Sequence, residues 1–330
     1  MEVIRALMTT SIPAKKDKVA RSTVVRPYLG DDESSVVNLW NKCLARDPIT
    51  TETFRRKVLL DENFDPNGCT VAASEGEVIG FSLAIRRRYP YYGVGLEQGK
   101  GWITALFVHP DFRGNGIATN LIKASEDFLR VCGVKEVYVS SYTPNYFIPG
   151  VDIDAYAEAY TLLKKLGYKK HERAYSMGRS LLDFDFSANT GTICSSLESR
   201  GIDIRIFEPR YITGLLEFLS THYPGELLRV ALEQLRKNPS TDQIMVAVKN
   251  GRVVGFSHYE DEHFGPFAID PAFTGMGIGT CLYYKTALQM KEKGKRNLWL
   301  AWTTGHAKDF YYKRGLRVTR RHEVMKKLLN

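Results

Sequence analysis

The sequence predicts a mixed α/β chain of the α+β kind, built twice over, and three observations carry that expectation. Its 330 residues are about twice the ~150 that one domain usually takes. A long segment recurs in register. Leu106-Phe-Val-His-Pro-Asp-Phe-Arg-Gly-Asn-Gly-Ile-Ala-Thr119 stands 161 positions before Phe267-Ala-Ile-Asp-Pro-Ala-Phe-Thr-Gly-Met-Gly-Ile-Gly-Thr280, with Pro, Phe, both Gly, Ile and Thr coinciding. Around each copy, the apolar periodicity reads strand, helix, hairpin, strand, glycine-rich turn, amphipathic helix, strand, helix, strand.

The elements follow in order. Residues near 24–28 and 203–207 predict first strands, and DDESSVVNLWNKCLA and PRYITGLLEFLSTHY carry apolar residues at helical spacing. TVAASEGEVIGFSLAI and QIMVAVKNGRVVGFSHYE read as hairpins broken at Glu75-Gly76 and Asn250-Gly251. Amphipathic helices are expected over 118–131 and 279–292. The offset of 161 carries Gly133 onto Gly294 and Val137 and Val139 onto Leu298 and Leu300. Upstream, Val78–Ser82 matches Val253–Ser257 at an offset of 175; downstream, Gly167 matches Gly315 at 148. The first half therefore holds 14 extra residues around RRRYPYYGVGLEQGKG and 13 more in PNYFIPGVDIDAY, loop insertions of the kind that modify a binding surface. Ser180–Gly201, rich in Ser, Thr, Gly and Asp, reads as a linker. The division expected is an arm at 1–22, a first domain at 23–180, a linker at 181–201 and a second domain at 202–330.

Composition excludes several classes. With 44% hydrophobic residues, 25% charged and 13 prolines, the chain is not disordered, collagenous or coiled-coil. No window approaches ~18 uninterrupted apolar residues, so no membrane span is expected. The N-terminus lacks the apolar core of a signal peptide, and a cytoplasmic protein is expected. A net charge of +9 suits a polyanionic ligand, either nucleic acid or a multiply phosphorylated cofactor; it also suits solubility alone. Cys43, Cys69, Cys132, Cys194 and Cys281 are scattered without a C-x-x-C pair, which indicates neither a disulfide framework nor a metal site. Arg86-Arg-Arg88 with Tyr89, Tyr91 and Tyr92 interleaves charge and rings as single-strand binders do, but a basic rim or an exposed hairpin explains it equally, and nucleic acid is not the favoured partner.

The glycine turns carry the chemistry. A strand entering Arg113-Gly-Asn-Gly-Ile-Ala118 leaves unpaired amides and the positive end of the dipole at the start of a helix, where a pyrophosphate can be cradled. Small residues at Gly114, Gly116 and Ala118 let phosphate oxygens approach the main chain. The pattern is neither the dinucleotide G-x-G-x-x-G nor a phosphate loop ending in Gly-Lys-Ser/Thr.

With these residues in place, both halves, about 23–178 and 202–328, resemble the acetyl-CoA-binding core of the GNAT superfamily of N-acetyltransferases, and the pair resembles tandem GNAT proteins. The resemblance implies two GNAT-like domains, each a mixed, mostly antiparallel sheet flanked by helices. Its signature, Arg or Gln, two residues, Gly, one residue, Gly or Ala, is met by Arg113, Gly116 and Ala118; the second copy has Gly277 and Gly279 but Thr274 in the basic position. Carried over, it implies that Phe107, Val108 and Ile269 face the pantetheine arm of acetyl-CoA. Around the pyrophosphate it places Arg113, Gly114, Asn115, Gly116, Ile117, Ala118 and Thr119 in the first copy and Thr274, Gly275, Met276, Gly277, Ile278, Gly279 and Thr280 in the second. A tyrosine four residues before the glycine of the last helix would protonate the leaving thiolate. Tyr311 holds that place in the second half, but Leu163 holds it in the first, where Tyr160 or a residue of Pro144–Asp152 would have to substitute.

The reaction implied is direct attack of a primary amine, on a small molecule or a peptide, at the thioester, which needs a base, an oxyanion donor and an acid. Glu260, beside Asp261, Glu262 and His263, is the candidate base, or part of a solvated hairpin turn. Tyr146, Phe147 and Asp152 line a substrate pocket or merely close a loop. The expected division of labour gives chemistry to the second half. The alternative is a tandem pseudo-enzyme that binds acyl-CoA or a partner without turnover.

Overall fold

The computed structural model describes residues 10–11, 22–185 and 188–329. The arm expected at 1–22 lies outside them, apart from Thr10, Ser11 and Ser22. The chain order is β1 (Thr10–Ser11), β2 (Thr23–Pro27), α1 (Glu33–Cys43), α2 (Thr51–Phe54, continued by a π turn to Leu59), β3 (Cys69–Ser74), β4 (Glu77–Ile85), β5 (Lys100–Val108), α3 (Ile117–Val131), β6 (Glu136–Val139), β7 (Val151–Asp152), α4 (Ala157–Lys165) and β8 (Lys169–Ser180). There follow α5 (Ala188–Ser199), β9 (Ile202–Ile206), α6 (Ile212–His222), α7 (Glu226–Lys237), β10 (Ile244–Lys249), β11 (Arg252–Glu260), β12 (His263–Ile269), α8 (Ile278–Glu292), β13 (Asn297–Thr303), α9 (Gly305–Tyr312) and β14 (Arg317–Leu328).

The chain divides into two compact units, and the division does not follow chain order. Unit 1 takes 22–90, 96–174 and 321–329; unit 2 takes 91–95 and 175–320. In unit 1 the strands run β1-β2-β3-β4-β5-β6-β14-β8, and in unit 2 β8-β13-β12-β11-β10-β9. Thus β8 begins in one unit and ends in the other, and β14 does the reverse. In unit 1, β14 pairs with β6 from Met325↔Val139 to Leu328↔Glu136, and the Lys326 ammonium bonds Glu136 Oε1 at 2.8 Å. In unit 2, the end of β8 pairs with β13 from Asn297↔Ser180 onward. The first insertion behaves likewise: Tyr91–Gly95 belongs to unit 2, where the Tyr91 hydroxyl bonds Glu226 and Gly225 N–H donates to Tyr92 O at 2.7 Å. Within the run of arginines and tyrosines Arg87 is buried, donating to Glu97 at 2.6 Å with its guanidinium 5.3 and 5.2 Å from the ring centres of Trp102 and Tyr142, while Arg88 and Tyr89 stay exposed.

The duplication is visible in the packing. Two-residue turns at Glu75-Gly76 and Asn250-Gly251 take positive φ and pair Ser74 with Glu77 and Lys249 with Arg252. Gly80 on β4 and Gly255 on β11 each lie where a Cβ would meet a leucine of the crossing helix, Leu121 at 3.0 Å and Leu282 at 2.9 Å. Buried hydroxyl pairs join the same elements, Ser82 to Ser125 at 2.7 Å and Ser257 to Thr286 at 2.6 Å. Trp40 and Phe54 fill one face of the unit 1 sheet with Phe81 and Phe107, while α3 covers the other.

The stretch 181–201, expected as linker, contains α5. Its composition is polar, yet Cys194 and Leu197 are buried against Ile202, Met245 and Ile278. Cys194 also forms a disulfide with Cys281 of α8, Cα atoms 5.8 Å apart, where the scattered cysteines of the sequence indicate no disulfide framework. No described helix is long and apolar enough to cross a membrane.

Candidate functional site

In unit 1, β5 and β6 run parallel only from Lys100↔Glu136 to Ile103↔Val139. Ser140 N–H closes the ladder on Ile103 O at 2.8 Å, and Ser140 and Ser141, both with φ +61°, turn the chain away. A shift of register in β4 at Leu83/Ala84 bends the partner strand on its other side. The stretch Thr104–Val108 thus keeps one edge open to a cavity of about 890 Å³. An extended ligand arm can pair with such an edge as an added strand does.

At the end of that edge stands the glycine turn. A 3₁₀ turn at Pro110–Phe112 leads through Gly114 (φ +81°) and Gly116 (φ +80°) into the 15-residue helix α3. No atom lies within 4 Å of the point where a Cβ would stand on either glycine, so the first-turn amides open on space. Arg113, Gly114, Gly116, Ile117, Ala118 and Thr119 line the cavity, as do Phe107 and Val108. The Arg113 Nε donates to Val108 O at 3.2 Å, and its Nη1 lies 3.3 Å from Glu158 Oε2 at the start of α4. Asn115 turns back to Phe112 O at 3.2 Å and is not among the lining residues.

The opposite wall comes from the end of α1 and from the second insertion. Trp40, Cys43, Arg46 and Asp47 line it with Phe147, Ile148 and Asp154–Ala157. Trp40 Nε1 donates to Asp47 O at 2.8 Å and its ring lies 4.4 Å from that of Phe147. The Tyr156 hydroxyl donates to Asp47 Oδ2 at 2.6 Å. Burial pushes the Cys43 thiol up, against the opposing pull of Arg113 and Lys42. Of the substrate residues expected in this insertion, Phe147 lines the cavity, whereas Tyr146 O accepts from Lys57 at 2.9 Å and Asp152 is wholly buried. Asp152 Oδ1 accepts from the amides of Asp154 and Ala155 at 3.0 Å each and so shapes the loop instead.

Residues 34–146 match the acetyltransferase (GNAT) family and residues 240–317 match an acetyltransferase (GNAT) domain. Acetyltransferase ECA0875 of Pectobacterium atrosepticum is 30% identical over 127 residues, 38% of this chain and 82% of that protein. The chain belongs to the GNAT acetyltransferase family. Acetyltransferase SG1711 of Sodalis glossinidius is 29% identical over 159 residues, covering 48% of this chain and 96% of that protein. Among solved structures, the GCN5-related glucosamine N-acetyltransferase region of a fungal multi-domain GH3 β-N-acetylglucosaminidase superposes on 96% of this chain with a TM-score of 0.75 at 18% identity; the chain spans 40% of that protein. This protein is a tandem GNAT N-acetyltransferase, with one GNAT match in each half.

The second GNAT copy keeps the backbone of the turn but not the space. Gly275 (φ +82°) and Gly277 (φ +94°) lead into α8, matching the first copy, and the Ile193 side chain of α5 lies 2.8 Å from the Cβ point of Gly277. Where the first copy has cavity walls at Leu106 and Leu162, the second stacks Phe267 on Phe310 at 5.6 Å. A Cβ on Gly279 would meet both rings. Arg314 lies 3.5 Å from the Phe310 ring centre and donates to Thr280 Oγ1. Ile269, Phe273 and Met276 pack, as Ile193 does, against the buried cluster that holds Ile278 and Leu282, and Thr274 N–H bonds Pro271 O at 3.3 Å.

Tyr311 sits in the same aromatic packing, 7% exposed among Phe264, Phe267, Tyr283 and Phe310, and burial raises its phenol well above the ordinary value. Glu260 is exposed at the β11–β12 turn, 3.7 Å from Lys237 Nζ. Its neighbours are held structurally: Lys295 keeps the Asp261 carboxyl below the usual range, and Glu262 Oε1 accepts the amides of Arg296 and Asn297 at 3.0 and 2.9 Å. The structure thus gathers the first-copy turn with Phe147 but leaves Tyr311 and Glu260 apart from that cavity. Asp47 and Tyr156 are not legible as site residues, since they stand 109 positions apart and only the fold brings them into one cavity wall.

Proposed function

We propose that unit 1 transfers an acetyl group from acetyl-CoA to a primary amine, by direct attack and without a covalent enzyme intermediate. The observation that carries this is the contrast between two copies of one turn: the first opens on a cavity along the free edge of Thr104–Val108, the second is filled by Ile193. The residues fit the donor. The amides at the start of α3, with Arg113, suit a pyrophosphate, and the β5 edge suits an amide-bearing arm. Acetyl-CoA supplies the activated acyl group. The protein supplies donors for the developing oxyanion, water exclusion by Trp40 and Phe147, and titratable groups on the wall facing β5.

Unit 2 takes the non-binding role: its turn and its cleft are filled, so one donor molecule per chain is expected. The acceptor is an amine of a small molecule or a peptide that reaches the cavity. The test is calorimetric titration with acetyl-CoA, followed by thiol release measured against a broad panel of primary amines. One equivalent bound, with thiol release for some amine, supports the reading. Absence of binding refutes it, and binding without transfer to any amine returns the chain to a non-catalytic acyl-CoA binder.

A further inference from the structure

Leu163 occupies the place where the family resemblance puts a proton donor, and its side chain carries no proton to give. The leaving thiol, with a pKa near 8.5, needs an acid that is still protonated at neutral pH yet close to it in strength. Aspartate and glutamate are ionised there, and arginine holds its proton too tightly. Among the described residues that line the cavity there is no lysine or histidine, and two side chains are of a type that keeps a proton at neutral pH and can give it up, Cys43 and Tyr156. Cys43 is 9% exposed, and its thiol is engaged on Val108 O at 3.4 Å. Tyr160 stands apart from the lining, with Lys164 Nζ 5.6 Å from its ring centre. Tyr156 is the one phenol in the lining; its amide is anchored on Asp152 O at 2.8 Å, and its hydroxyl points at Asp47 Oδ2, 2.6 Å away.

We propose that Asp47 and Tyr156 are catalytic residues forming a proton relay for the acetyl transfer assigned above to unit 1. The inference rests on that assignment. Asp47 takes a proton from the ammonium of the incoming acceptor, and the freed lone pair forms the C–N bond at the thioester carbon. The C–S bond breaks with its electron pair going to sulfur, which takes the phenolic proton of Tyr156. The protonated Asp47 then returns its proton to the Tyr156 oxygen along their hydrogen bond, and the second nitrogen proton leaves to water. Alkylammonium and acetyl thioester thus give acetamide, thiol and one proton, and both side chains return to their starting state.

The experiment compares wild type with Tyr156→Phe, Asp47→Asn and the double variant, using acetyl-CoA with primary alkylamines and anilines. Tyr156→Phe should lower kcat by roughly 10²–10⁴-fold while the calorimetric Kd for acetyl-CoA stays within about threefold, which also reports an intact cleft. Asp47→Asn should lower transfer to alkylamines comparably but spare anilines, which arrive neutral. Because the two act in series, the double variant should be no slower than the worse single one. A readout without donor or turnover is the phenol titration of ¹³C-labelled tyrosine in the free protein. Asp47→Asn should lower the Tyr156 titration point, since a nearby carboxylate opposes phenolate formation. Retention of more than a third of wild-type turnover by Tyr156→Phe, or a phenol unmoved by Asp47→Asn, overturns the relay and leaves the acetyl-transfer reading standing. A wild-type protein that fails to bind acetyl-CoA, or acetylates no amine, overturns both.

Discussion

Ile193 fills the hollow that Gly277 leaves, 2.8 Å from where a Cβ would stand, while the same point on Gly116 faces open space. Both glycines are left-handed, at φ +94° and +80°, so a side chain at either is strained by roughly 1–2 kcal/mol. Only at Gly116 would it also close the turn proposed to hold the donor. Gly116→Glu should therefore abolish acetyl-CoA binding, and Gly277→Glu should lower stability while leaving one equivalent bound. Calorimetry on the two proteins decides it; loss of the site in Gly277→Glu alone would reverse the assignment of the units.

The buried hydroxyl pairs make a second prediction. Ser82→Ala leaves the Ser125 hydroxyl without its partner at 2.7 Å and should cost about 1–3 kcal/mol, while Ser82→Ala with Ser125→Ala should recover part of that loss. Urea unfolding of wild type, each single variant and the double variant measures the non-additivity. Strictly additive losses would mean that the hydroxyls find other partners.

The exchange of strands predicts which fragments fold. Residues 22–180 lack the strand that pairs with β6, so expressed alone they should show no cooperative melting and no acetyl-CoA binding. Appending 317–329 through a flexible linker should restore both. A fragment 22–180 that melts cooperatively would mean that β14 is dispensable to unit 1.

In unit 2, burial and the neighbouring His258 lower the His263 pKa from 6.5 to about 4. The folded state resists protonation more than the unfolded state, so this contribution is fully present above about pH 6.5 and is lost as the pH falls toward 4. His263→Gln should flatten the dependence of stability on pH across that window, as followed by denaturant titration at several pH values. An unchanged slope would place the His263 ring in solvent.

What the sequence makes legible here is what a backbone conformation demands of its residues. The left-handed positions at Gly114, Gly116, Gly275 and Gly277 force glycine, so the turns stand out and their common offset marks the duplication. The hairpins at Glu75-Gly76 and Asn250-Gly251 are legible for the same reason. Strand partnership is not: alternation in Arg317–Leu328 is the same whichever sheet receives it. Nor is the occupancy of a turn, because Ile193 lies 84 residues before Gly277 in a stretch whose polar composition reads as linker. Position in the repeat gives Tyr311 the look of an acid, but the rings of Phe267 and Phe310, unremarkable in sequence, decide its surroundings.

The handing of β14 to unit 1 also has a cost in time. Between Ala174 and Arg321 the ribosome must add 146 residues before the strand that completes the first sheet exists. At ~5–20 residues per second this is a delay of roughly 7–30 s, during which the nascent β6 edge is unsatisfied and open to chaperones or to strands of neighbouring chains. The half that is translated first thus cannot be completed until the other half has been synthesised, and the cleft along β5 waits with it.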